Sequence, residues 1–154
     1  MLPIRRILAP TDFSDVSVET VVRASELADH FGAELLVAHV IPPVPTLPSD
    51  PHFNFEVPAY QDALRESAQQ RLSETVRSLV DRGIRTRTMV THGDPAREIV
   101  RIARDEDADL IVIATHGLTG WQHIVFGSVA EKVVRTADRP VLTIRGRHSD
   151  EGDG

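Results

Sequence analysis

Five short aliphatic runs alternate with longer segments of helical periodicity along this chain. The runs span residues 6–9, 34–40, 85–90, 110–114 and 141–144. Between most of them, apolar residues recur every three or four positions, which is the period of an amphipathic helix. Short strands separated by helical connections predict an α/β fold, in which a five-stranded parallel sheet carries helices on both faces as an open sandwich.

Residues that start or stop helices set the predicted boundaries. Gly32 is expected to end the first helix and Gly83 the second, whose buried stripe runs from Leu64 to Val80. Asp94 and Pro95 are typical of an N-cap and a first helical residue. The fourth helix is predicted from Val129 to Thr136. One domain should therefore cover residues 1–147, with a proline-rich surface loop at 42–58 and a disordered acidic tail at 148–154.

Composition excludes several classes of protein. The chain has 154 residues and no cysteine, which removes disulfides, thiolate catalysis and cysteine-based zinc sites. Its formal charge of −6 disfavours a nucleic-acid surface. No apolar run approaches the roughly 20 residues that span a bilayer, and the first residues lack a signal-peptide core. We therefore expect a cytoplasmic protein with neither nucleic acid nor membrane as a partner.

The segment after the fourth predicted strand has the spacing of a phosphate site. Gly117 follows the strand, and after nine intervening residues Gly127 and Ser128 stand where the next helix should begin. Backbone N–H groups and a hydroxyl at a helix start bind phosphate well. An alternative stays open, in which the glycines only supply positive φ for turns and Ser128 only caps the helix.

Two polar turns are expected to share one crevice. Residues 10–12 follow the first predicted strand and residues 114–117 follow the fourth, so both turns lie at carboxyl ends. In an open parallel sheet, ligands bind beyond these ends, where the strand order reverses. If the first and fourth strands are neighbours, the two turns face the same crevice.

The chain resembles the universal stress protein family over nearly its full length. The resemblance rests on the segments 7–12, 93–95 and 140–144. The ATP-binding subgroup of this family has a glycine, two residues, a second glycine, nine residues, then Gly-Ser or Gly-Thr. This sequence matches at Gly117, Gly127 and Ser128, and it departs at Ala114, which replaces the first glycine.

The resemblance implies a Rossmann-like nucleotide-binding fold and a role for each matched position. Asp12 would accept hydrogen bonds from the ribose, or else only cap its own turn. The backbone of Val40 would meet the adenine edge, and His116 would either donate to phosphate or brace the loop. The full set of expected nucleotide-binding residues is Pro10, Thr11, Asp12, Val40, Ile113, Ala114, His116, Gly117, Gly127, Ser128 and Val129.

Three functions follow from these residues. The favoured one is a regulatory stress-response protein that binds ATP or another adenine nucleotide and forms a homodimer through strand 141–144. The alternatives are a slow ATP phosphohydrolase, in which His116 or Asp12 orients water, and a nucleotide-free dimeric scaffold. The histidines lack the spacing of a protein-built metal site, so any magnesium would be held mainly through phosphates. No P-loop lysine and no G-x-S-x-G element occurs, and no catalytic residue is assigned.

Overall fold

The computed structural model describes residues 3–43, 57–115 and 127–146, which form five strands and four helices. The strands are β1 (Arg6–Pro10), β2 (Glu34–Ile41), β3 (Thr86–His92), β4 (Leu110–Ala114) and β5 (Val141–Ile144). The helices are α1 (Asp15–Phe31), α2 (Val57–Asp81), α3 (Pro95–Asp105) and α4 (Ser128–Thr136). The predicted order of strands and helices is confirmed.

The sheet is parallel throughout, with the strand order β3-β2-β1-β4-β5. The chain runs outward from β1 to β3 on one side and then crosses to β4 and β5 on the other. The order therefore reverses between β1 and β4, which are neighbours as the predicted crevice requires. Ile7 pairs with Leu110, and Leu8 pairs with Ile111.

Helices cover both faces of the sheet, and each face has its own apolar core. On one face, α1 and α2 pack against alternate strand residues such as Ile7 and Val37. On the other face, α3 and α4 pack against Leu8 and Leu36. The sheet is buried on both sides because successive side chains of a strand point to opposite faces. The α/β prediction with two helical layers is correct.

The helix ends follow the expected chemistry in most places. Ser14 caps α1 by accepting from Ser17 N at 3.3 Å, and Gly32 closes that helix with φ of +64°. Asp94 caps α3 and accepts from Arg97 N at 3.1 Å, with Pro95 as the first helical residue. Both predictions for residues 94 and 95 are confirmed.

Several predicted boundaries are wrong by a few residues. The α2 helix begins at Val57, so residues 57 and 58 belong to the helix and not to the predicted loop. The reason is that proline fits the first turn of a helix, where its missing N–H has no partner to lose. The β3 strand reaches His92, since it pairs with β2 as far as Ile41. Val80 was predicted in the buried stripe of α2, but it is 52% exposed.

Some predictions fall outside the described residues. These are the remainder of the proline-rich segment, at 44–56, the tail at 148–154, and the two loop residues His116 and Gly117. Within the part of the chain that the structure describes, no helix is long and apolar enough to cross a membrane.

Candidate functional site

The carboxyl ends of β1 and β4 lie side by side at the reversal of strand order. Pro10 is the last residue of β1, and Ala114 is the last residue of β4. The polar turn after β1 and the segment after β4 therefore leave the sheet at the same edge, as the sequence predicts. Such an edge is the usual ligand position in open parallel sheets.

Main-chain groups of Val40 point toward this crevice. The ladder between β1 and β2 ends where Pro10 pairs with Ala38, and Ala38 O accepts from Thr11 N at 2.8 Å. Residues two apart in a strand present their N–H and C=O in the same direction. The N–H and C=O of Val40 therefore point to the β1 side of β2, beyond the last paired residue of β1. The main chain at Val40 therefore presents one hydrogen-bond donor and one acceptor.

Buried apolar side chains lie on the α3 and α4 face of the same edge. Val40 and Ile113 belong to the core cluster of that face, and Val129 packs against it. Pro10 lies two residues after Leu8 of that cluster, so the alternation of strand side chains places it on the same face. The structure thus brings together on one face the three residues expected to form an apolar slot for the base, and Val129, expected to offer its backbone amide to phosphate, packs against the same cluster.

The turn after β1 is held by several hydrogen bonds. Asp12 Oδ1 accepts from Ser14 N at 3.0 Å and from Ser14 Oγ at 2.5 Å. Thr11 Oγ1 lies 2.8 Å from Ser17 Oγ and accepts from Phe13 N at 3.0 Å. Asp12 therefore has the turn-capping role that the sequence left open, and the Thr11 side chain is buried in the turn. A ligand role for either residue stays a prediction.

The start of α4 adjoins the end of β4. Gly127 N donates to Thr115 O, so the first residue before α4 contacts the first residue after β4. The N-cap position is Gly127, which has no side chain to cap the helix, and Ser128 is the first helical residue. The N–H groups of the first turn have no partner within a helix. They therefore form a cluster of donors at the positive end of the helix dipole.

The alternative for residues 127 and 128 does not hold. Gly127 has φ of −65°, an extended conformation that any residue adopts, so it is not there to supply positive φ. Ser128 does not occupy the N-cap position, since that position is Gly127. Supplying positive φ is therefore not the role of Gly127, and capping α4 is not the role of Ser128. The positions of His116 and Gly117 relative to them lie outside the described residues.

Two residues near the turn escaped the sequence-based assignment. The Nδ1–H of His39 donates to Thr11 O at 2.8 Å, and the rings of His39 and Phe13 stack with centroids 4.5 Å apart. Burial lowers the pKa of His39, and the bond to Thr11 O opposes this shift only in part. His39 occupies a β2 position whose side chain points to the α1 face, and strand alternation is the signal that could have placed it there.

The described residues contain no group of three or more histidine, aspartate or glutamate side chains placed to hold a metal ion. The arrangement instead combines main-chain donors and acceptors, one carboxylate, buried apolar side chains at the strand ends and a helix start. The strand order and the two helical layers define a doubly wound α/β protein whose candidate site lies at its switch point. The chain belongs to the universal stress protein family, whose sequence profile matches residues 3–145.

Known relatives span almost the whole chain. The universal stress protein MJ0531 of Methanocaldococcus jannaschii is 36% identical over 141 residues, which are 92% of this chain and 82% of the relative. The structure of the hypothetical protein MJ0577 from the same organism has a TM-score of 0.77 at 28% identity, covering 96% of this chain and 100% of that one. The universal stress protein of Archaeoglobus fulgidus in complex with dAMP has a TM-score of 0.65 at 25% identity, covering 94% and 99%.

Proposed function

We propose that this protein is a cytoplasmic regulatory protein of the stress response that binds ATP or a related adenine nucleotide. The nucleotide would lie between the turns after β1 and β4 and the start of α4. The observation that carries the proposal is the direction of the Val40 main-chain groups, which point into the crevice beyond the end of β1. A donor and an acceptor on one residue match the Watson–Crick edge of adenine, where N1 accepts and the exocyclic amine donates.

The neighbouring groups fit the rest of a nucleotide. The apolar side chains of Pro10, Val40 and Ile113, which are buried at this edge, would lie beside the base, and the carboxylate of Asp12 is suited to ribose hydroxyls. The start of α4 supplies N–H donors for phosphates, each charge favoured by about 0.3–1 kcal/mol at an exposed helix end. The complex of the Archaeoglobus fulgidus relative with dAMP supports an adenine nucleotide as the ligand. Magnesium, if bound, would be held mainly by the phosphate oxygens.

The proposal is for binding rather than rapid hydrolysis. Fast transfer of the γ-phosphate needs a positioned base and cations around the phosphate. The only lysine of the sequence, Lys132, lies one turn inside α4 and not in a phosphate loop. Bound nucleotide would therefore act by changing a surface of the protein.

The proposal includes a homodimer formed through β5. This strand pairs with β4 on one side and forms an edge of the described sheet on the other. Its Leu142 is 41% exposed, which is unusual for a leucine in a parallel sheet. An open edge with an exposed apolar side chain suits pairing with a second copy.

Calorimetry with purified protein tests nucleotide binding. ATP should bind measurably at micromolar to millimolar concentration, and GTP should bind at least about tenfold more weakly, because its base edge has a donor where adenine has an acceptor. A parallel mass measurement on the denatured protein would identify any nucleotide retained through purification. No heat and no thermal stabilisation with millimolar ATP would contradict the proposal.

A further inference from the structure

Phe13 has a backbone conformation that its side chain does not favour. Its φ is +66°, in the left-handed region. Among the described residues other than glycine, only Asp107 shares this feature, with φ of +50°. A short polar residue such as aspartate tolerates this region, whereas a bulky aromatic residue is strained there. Strain of this kind persists only where surrounding contacts impose it, and it is often found at functional sites.

The contacts that hold Phe13 in this conformation come from two other elements. On the β2 side, the His39 ring lies 4.5 Å from the Phe13 ring, centroid to centroid, at an interplanar angle of 35°. On the α2 side, the guanidinium carbon of Arg71 lies 4.2 Å from the centroid of the same ring. An arginine over an aromatic face is attracted by the electrons of the ring. The Phe13 side chain is therefore held between a strand and a helix.

The same residue follows Asp12 directly and shares its hydrogen-bonded turn. Phe13 N donates to Thr11 Oγ1, and Thr11 O accepts from the imidazole of His39. Asp12 Oδ1 in turn accepts from Ser14 N, on the other side of Phe13. The ring contacts and the turn bonds together fix the peptide groups on both sides of Asp12, and hence the direction of its carboxylate.

Filling the core does not account for this arrangement. Phe13 packs against the α1 and α2 core only as a partly buried residue. An aromatic side chain can fill such a place from a relaxed backbone, so core packing gives no reason for positive φ. A turn that must present one side chain in a fixed direction does give such a reason, because preorganised groups bind without a further ordering cost.

We propose that Phe13, held between His39 and Arg71, is a positioning residue for the Asp12 carboxylate. The arrangement sets how strongly the crevice discriminates nucleotides that carry ribose hydroxyls from those that lack them. This inference rests on the proposed nucleotide-binding function and adds a determinant of sugar specificity to it. Arg71 extends the control of that specificity to α2, an element that lies outside the crevice.

The test compares ATP with 2′,3′-dideoxyATP, which lacks both ribose hydroxyls but keeps the base and the triphosphate. Binding of each is measured by calorimetry on the full chain. The parent should prefer ATP by about tenfold or more, since hydrogen bonds to a carboxylate contribute strongly. Asp12→Asn gives the reference value for a weakened ribose contact, and circular dichroism checks the fold of every variant.

Two variants change the support of Asp12 without changing Asp12 itself. Phe13→Gly accepts positive φ without strain, so the turn can fold, but it removes the stacked ring. Arg71→Gln removes the cation from an exposed position on α2 and leaves the helix intact. The matched control is Arg77→Gln, another exposed arginine on α2.

We expect Phe13→Gly to reduce the preference for ATP to within about threefold of unity and Arg71→Gln to reduce it partly, with affinity for dideoxyATP unchanged. Arg77→Gln should keep the preference of the parent. If folded Phe13→Gly and Arg71→Gln keep the full preference, or lose affinity for both nucleotides equally, the positioning role is wrong while the proposed function stands. If the parent binds neither nucleotide, the proposed function fails and this inference fails with it.

Discussion

The imidazole of His39 donates through Nδ1 to the backbone oxygen of Thr11 across 2.8 Å, which joins the second strand to the turn after the first. The bond is made by a partly buried ring that packs against the Phe13 ring and interacts electrostatically with Asp12 and Arg71. Since burial lowers the pKa of His39 from its ordinary value of 6.5, the folded protein favours the neutral ring.

This pKa shift predicts a loss of stability in mild acid. The unfolded chain takes up the proton near pH 6.5, whereas the folded chain takes it up only at lower pH. As pH falls through 6.5, the free energy of unfolding should therefore decrease, and the decrease should stop below the folded pKa. His39→Asn keeps a donor near Thr11 O and cannot titrate, so urea titrations from pH 7.5 to 5 should show a shallower decrease for this variant.

The control for this measurement is His30→Asn, which removes an exposed imidazole at the other end of α1. The parent and His30→Asn should follow the same pH dependence. Parallel curves for the parent and His39→Asn would mean that the burial of His39 does not govern acid stability.

Gly127→Val should prevent phosphate binding without disturbing the fold. Gly127 has φ of −65° and ψ of 149°, which valine adopts without strain, so the added side chain acts only by occupying space before α4. Affinity for ATP should fall at least about tenfold, while affinity for adenosine changes little. A folded variant that binds ATP like the parent would show that the phosphates lie elsewhere.

Ser128→Ala should have a smaller effect on the same measurement. It removes one hydroxyl at the first position of α4 and leaves every backbone N–H in place. We expect a loss of about 1 kcal/mol in the binding free energy of ATP, or roughly fivefold in affinity. Since Ser128 is not the N-cap residue, the thermal stability of the Ser128→Ala variant should match that of the parent. A marked loss of stability would indicate that the hydroxyl supports the helix instead.

Thr143→Pro should separate the proposed dimer into folded monomers. Pro140 O accepts from Ile111 N at 2.9 Å, and Ile144 O accepts from Thr115 N at 3.0 Å. The main-chain N–H and C=O groups of the even-numbered residues of β5 therefore point toward β4. By alternation, the N–H of Thr143 points to the open edge, where proline would remove a donor that the β4 ladder does not use. Sedimentation velocity and circular dichroism would report mass and fold.

Leu142→Pro is the comparison for this variant. The N–H of Leu142 points toward β4, so proline there should cost about 1–3 kcal/mol of folding free energy through a lost ladder bond. A folded Thr143→Pro protein that remains dimeric would place the interface on another surface.

Gly93→Ala should destabilise the fold more than Gly83→Ala. Both glycines have positive φ, +145° and +83°, so alanine is strained at either position. A Cβ at position 93 would lie only 2.8 Å from Glu98 Cγ, whereas a Cβ at position 83 meets nothing within 4 Å. In chemical denaturation, we expect the free energy of unfolding to fall by about 2–4 kcal/mol for Gly93→Ala and by about 1 kcal/mol for Gly83→Ala. Equal losses would show that Glu98 moves aside freely.

Local patterns predicted the sheet better than the ends of the helices. The limits of β4 and β5 are correct to the residue, because each is an apolar run with polar or proline neighbours. The start of α2 was missed because Pro58 was assigned to a loop, although proline suits the first turn of a helix. The exposure of Val80 depends on how α2 lies on the sheet, which its periodicity does not specify.

In the candidate site, single residues could be predicted from the sequence, but contacts between separate elements could not. The spacing after the fourth strand selected Gly127 and Ser128, and the family resemblance selected Asp12, which strand order places at the expected edge. The stacking of Phe13 and His39 could not be predicted, because it joins two elements whose relative position only the folded chain defines. The positive φ of Phe13 was equally inaccessible, since no local rule favours that conformation for an aromatic residue.

The central place of β1 has a consequence for the newly made chain. Its two neighbours are β2, which ends at Ile41, and β4, which begins at Leu110. During synthesis, roughly 70 residues must follow β2 before β4 can arrive, which takes several seconds at about 5–20 residues per second. Throughout that delay the parallel pair of β1 and β2 leaves one edge of β1 open. This strand order therefore exposes the central strand to pairing with other chains for longer than an order in which β1 pairs only with strands made soon after it.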